Sequence, residues 1–173
     1  MKMAVMPIFT VYVVWHQSCS KGQQIADLLG SHFVRNLHRD IGEDRSISVL
    51  ERSIPMPGLN TPLPIDWDDT EYTVAVVLAD SHMIKSPEWI DYVLAIEKTT
   101  VERGLLSRLF PVTVNCQGLE LDLSHQALRW DKWVSSDNNP EQRLISELTH
   151  EFCRMLRHIN FTNSNQSVAE KKR

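Results

Sequence analysis

Apolar and polar residues fall in blocks along this chain, and the blocks change period. Thr10-Val-Tyr-Val-Val-Trp15 is a continuous apolar run that stops at His16. A strand buried on both faces reads this way, as in a parallel sheet covered by helices. After the polar stretch Gln17–Ser20, residues Ile25, Leu28, Leu29, Phe33 and Leu37 recur at helical spacing. A polar turn, Arg39–Arg45, leads to a short strand at Ser46–Leu50. Ile54–Pro64 carries four prolines and a glycine, which exclude a helix interior or a central strand and make it a long loop. Tyr72–Leu78 is a second unbroken apolar run and ends at Asp80-Ser81.

Ser86-Pro87-Glu88-Trp89 has the N-cap, the first-turn proline and the first-turn acid of a helix start. The spacing predicts a helix to about Arg103, closed by Gly104. Leu109–Val114 reads as a fourth strand in which Pro111 marks an edge or a strand start. Ala127–Trp130 predicts a short fifth strand. Asn139-Pro140-Glu141 opens a last helix with Leu144, Ile145, Leu148, Phe152, Met155, Leu156 and Ile159 on its apolar side. The polar segment 160–173 has no periodicity and is expected to be a disordered tail or the start of a linker, leaving residues 1–159 as one domain.

Strands alternating with helices predict an α/β protein. The expected architecture is a flavodoxin-like three-layer fold: a central parallel five-stranded sheet, order 2-1-3-4-5, with helices on both faces. Its switch point lies between the first and third strands, and such sheets bind ligands at the carboxyl ends of their strands. His16 and Asp80-Ser81 end those two strands, so they should border one crevice, with Arg52 and Ser53 beside His16.

Composition narrows the classes. The chain has 173 residues, 42% hydrophobic and 23% charged, with a net charge of −4, as for one globular domain without the basic stripe of a nucleic-acid binder. No apolar run approaches the roughly 18 residues of a membrane span, and the N-terminus is too short for a signal peptide. Cys19, Cys116 and Cys153 are an odd set without paired spacing, as expected in a reducing cytoplasm with no disulfide framework. With no CxxC and no HExxH, no metal site is expected. The Asp66-Trp-Asp-Asp-Thr-Glu71 cluster lacks calcium-loop spacing and reads as a solvated turn. Cys19 lies near a helix N-terminus without an evident base, so cysteine hydrolysis is not expected.

Specific residues then meet this order of elements. Val13-Val-Trp-His16 with Gly22, the loop Ser53–Asn60 with Pro57-Gly58 at its tip, Leu78-Ala-Asp-Ser81, Ser86-Pro-Glu-Trp89 and Leu144–Arg154 resemble a Toll/interleukin-1 receptor (TIR)-like domain of the bacterial defence-protein type. The resemblance covers roughly residues 8 to 159. It implies a cytoplasmic module of an anti-phage system that, once assembled, cleaves NAD at the nicotinamide ribosyl bond as an NAD nucleosidase. NAD is then substrate, with no cofactor. In the family a glutamate four residues after the helix tryptophan acts on the ribose; that position is Val93 here.

Glu97, one turn further on nearly the same face, is the candidate catalytic carboxylate. A carboxylate is needed there to offset charge developing at the anomeric carbon. Candidate substrate-binding residues are His16, Ser18, Lys21, Arg52, Ser53, Asp80, Ser81 and Trp89, with Arg52 or Lys21 toward the pyrophosphate and Trp89 or Trp15 as an aromatic wall. Trp89 on an apolar stripe with Val93 and Ile96 reads first as core, and Glu97 first as helix surface. The resemblance also implies self-association through Ile54–Pro64, with further domains or a partner protein possible. The alternative is a non-enzymatic TIR-like signalling module acting through self-association alone. Another nucleotide-binding α/β enzyme, such as a nucleoside transferase-like hydrolase, shares this layout.

Overall fold

Two apolar runs meet side by side at the centre of the sheet. In the computed structural model, β1 (Phe9–Trp15) and β3 (Tyr72–Ala79) pair in parallel from Phe9 opposite Tyr72 to Trp15 opposite Leu78. The structure describes residues 8–36, 47–121, 123, 126–136 and 139–171. The turn expected at Arg39–Arg45 lies outside these, as do Leu37 and Ser46. β2 (Ile47–Arg52) pairs with β1 and β4 (Ser107–Thr113) with β3, both parallel, so the order is β2-β1-β3-β4. The architecture is α/β with an all-parallel sheet, consistent with a flavodoxin-like arrangement.

The sheet has four strands, not five. The segment expected as a fifth strand makes one parallel bridge, Leu128 to Val112. Leu128 donates to the Pro111 carbonyl and accepts from the Thr113 amide, both at 2.8 Å. Arg129 then clasps Asp131 at 2.7 Å and the chain turns into a helix, α4 (Trp130–Ser136), which buries Trp130 and Trp133. Burial of two indoles outweighs the extension of a short edge strand. Pro111 has no amide hydrogen, and its place on this edge strand removes no inner ladder bond.

Alternation along the strands feeds two cores. Val11, Val13 and Trp15 face α1 (Gly22–Gly30), α4 and α5 (Pro140–Lys171). Phe152 of α5 is the hub there, with ring centroids 5.0 Å from Phe9 and 5.2 Å from Phe33. Tyr12, Val14, Ala75 and Val77 face α3 (Pro87–Arg103), whose buried stripe is Trp89, Val93, Ile96 and Thr100. Ser86 is the N-cap of α3, and Gly104 closes it at φ 63°, a conformation glycine reaches without a Cβ clash.

Three features depart from the sequence pattern. α1 passes directly into a π-turn, Ser31–Asn36. A short helix, α2 (Ser81–Ile84), intervenes before α3. The α5 backbone continues to Lys171, where a disordered tail or linker was expected from residue 160. No glycine or proline interrupts the chain between Pro140 and Lys171, so nothing in the backbone stops the helix.

Candidate functional site

The carboxyl end of β3 is organised by one buried acid. Asp80 follows the last residue of β3, is 2% exposed, and caps α2. Its Oδ1 accepts the Met83 amide and its Oδ2 pairs with Nδ1 of His82, both at 3.0 Å. The buried Cys19 thiol lies near this carboxylate. Burial, followed by this carboxylate, pushes the Cys19 thiol up to about 11. The thiol is therefore protonated at neutral pH and is no nucleophile.

At the neighbouring strand end, His16 lies over the same crevice. Its ring stacks on His82 at 5.7 Å and tilts against Trp89 at 5.4 Å. Its Nδ1 accepts the Ser18 amide at 3.0 Å, so its proton sits on Nε2. Burial lowers the His16 pKa, Asp80 raises it, and His82 lowers it again; the net shift is downward. His82 Nδ1 meets the Asp80 carboxylate, and the side chain is half exposed. The buried Trp89 indole N–H has no hydrogen-bond partner.

The lowered His16 pKa has a measurable consequence. Below about pH 6.5 the unfolded chain takes up a proton that the folded chain refuses, so stability falls with falling pH through that window. His16→Asn keeps an acceptor for Ser18 and removes the titration. Urea unfolding at pH 7.5 and 5 is expected to show a smaller acid loss in His16→Asn than in wild type. Equal losses would show that His16 does not couple to folding.

The structure brings His16, Ser18, Asp80, Ser81 and Trp89 together, and adds His82. His82 carries no periodic signal, and only the short helix α2 aims it at His16. Lys21 is exposed at the N-cap of α1. Arg52 lies on the same sheet face as Tyr12, 4.9 Å from its ring, and donates to the Pro64 carbonyl at 3.3 Å. Ser53 begins the loop beyond it. Glu97 follows Trp89 by a little over two turns, about 12 Å along the helix. That direction leads toward Arg103, which binds Ser107 at the start of β4, so the helix carries Glu97 away from the His16 crevice. Val93 is fully buried in the core under α3.

The loop after β2 is held rather than loose. Tyr92 donates to the Leu63 carbonyl at 2.6 Å and Tyr12 to the Asp66 carbonyl at 3.3 Å. Burial raises the Tyr92 phenol to about 12. At the tip, Leu59 N–H meets the Met56 carbonyl at 3.0 Å and Gly58 has φ 78°, a type II turn with proline and glycine at its two central positions. Ile54, Leu59 and Leu63 stand 82%, 56% and 54% exposed on this loop.

Among the described residues no His, Cys, Asp or Glu cluster is arranged to hold a metal ion, and no helix is long and apolar enough to cross a membrane. No family model matches the chain, and neither a curated protein nor a solved structure does.

Proposed function

We propose that the chain is a TIR-like module that acts by assembling with further copies of itself through the loop after β2. The observation that carries this reading is the set of exposed apolar residues Ile54, Leu59 and Leu63 on a backbone clasped by Tyr92, Arg52 and Tyr12. A pre-ordered apolar surface loses little entropy on binding. A complementary surface lies elsewhere on the molecule. Val101, Gly104, Leu105 and Met155 line a mainly apolar cavity of about 310 Å³, bordered by Arg108 and Arg154. Both arginines pair with Glu151 and leave the border net positive, which suits the exposed Glu51 and Glu88 that flank the loop. Loop and cavity are different surfaces, so the contact is head-to-tail and propagates.

Ile54→Glu is expected to abolish concentration-dependent association in sedimentation velocity while leaving unfolding within about 0.5 kcal/mol, as for a surface site. Val101→Glu should do the same from the other side. Association unchanged in both variants would overturn the reading.

NAD processing by the assembled protein is the second reading, favoured by the polar groups of His16, Ser18 and Asp80 at adjoining strand ends. Nicotinamide release from NAD by concentrated wild type, lost in Glu97→Gln, is the result that reading requires. With Val93 buried and Glu97 two turns away, assembly without release is the expected outcome.

A further inference from the structure

We propose that the groove between the π-turn and α5 binds a phosphate-type anion, a role separate from both the loop and the crevice. His32 on the π-turn faces Ser146, Thr149, His150, Arg154 and Arg157 on α5 across a cavity of about 890 Å³. That volume holds a nucleotide-sized molecule. Its described lining holds imidazoles, guanidiniums, hydroxyls and an amide beside Ile145 and Cys153, and Glu151 pairs with Arg154 at its edge. In a chain of net charge −4 this is a local concentration of donors. A phosphate offers several acceptor oxygens and is matched by such a set, above all by arginine forks.

The groove owes its shape to the π-turn. This irregularity is uncommon and recurs at functional sites, because the widened turn changes which way its side chains point. Here Phe33 packs on Phe152 while the adjacent His32 lines the groove. Arg154 donates to Glu151 at 3.3 Å yet stays 62% exposed, leaving its remaining N–H groups for a ligand.

The test uses the full chain and two probes, inorganic pyrophosphate and adenosine diphosphate, titrated with amide and arginine side-chain NMR as the readout. Saturable shifts are expected at residues 31–33 and 146–157. The double variant His150→Gln/Arg157→Gln, whose residues do not border the assembly cavity, should weaken binding by about tenfold or more, since an arginine fork and an imidazole donor are lost. Tighter binding of adenosine diphosphate assigns the anion to a nucleotide; equal binding assigns it to phosphate groups alone. Shifts that do not saturate at millimolar probe, or that persist unchanged in the double variant, overturn the proposal. So does binding of a nucleic-acid duplex with neither small anion.

Discussion

Gly118→Ala is expected to lower the unfolding free energy by about 2–3 kcal/mol, the cost of overpacking a site that cannot relax. Gly118 sits in the tight turn Cys116–Glu120 after β4. A Cβ there would stand 2.3 Å from the Ala79 carbonyl oxygen and 2.8 Å from Cγ2 of Thr113. The Ala79 carbonyl is backbone, and it already accepts the Val114 amide at 2.9 Å. It cannot swing away as a flexible side chain would. Because Ala79 immediately precedes Asp80, the strain is delivered to the strand end that organises the crevice. Gly30 supplies the contrast. Nothing lies within 4 Å of its Cβ position at the end of α1. Gly30→Ala should be neutral or stabilise by up to about 1 kcal/mol through helix propensity. Urea midpoints of the two variants compare the effects directly. A Gly118→Ala protein as stable as wild type would mean that the turn moves freely against β3.

Asp80→Ala is expected to cost about 2 kcal/mol. It removes the helix cap, which is the bond to the buried Met83 amide, and leaves that amide without an acceptor, at about 1–3 kcal/mol. Relief of the buried carboxylate's own desolvation offsets part of this. Water rescues His82, whose side chain is half exposed. Asp80→Asn supplies a sharper readout, since it removes the charge and keeps the shape. The carboxylate is the second cause, after burial, of the Cys19 thiol standing near 11. In Asp80→Asn the thiol should fall back toward the ordinary range and react faster with iodoacetamide at pH 8.5. An unchanged alkylation rate would assign the whole effect to burial.

Local energetics were written plainly in the chain. The runs at 10–15 and 72–78 are strands because they are apolar on both faces, and such strands belong inside a parallel sheet. They lie side by side, as the α/β order requires. Ser86, Pro87 and Gly104 mark the two ends of α3 because capping and φ preferences are properties of single residues. Pro111 announced an edge because it lacks one donor. Four further features were not legible, and they share a cause. The fifth strand shrinks to Leu128 because Trp130 and Trp133 find a buried surface made by α5, which starts later in the chain. The loop after β2 is stiff because Tyr92, far along the sequence, reaches the Leu63 carbonyl.

His82 enters the crevice because Asp80 caps α2 and brings the ring onto His16 across the β1–β3 pairing. Glu97, placed by helical periodicity on nearly the same face as Val93, is carried away from the crevice by the helix's rise. Periodicity reports the direction in which a side chain leaves its element. It does not report what another element, joined through a long crossover, has put in front of it. The sequence by itself therefore determined the layers, the central strand pair and the two ends of α3. Only the tertiary structure decided which polar groups meet, because those contacts depend on packing between segments that no local preference relates.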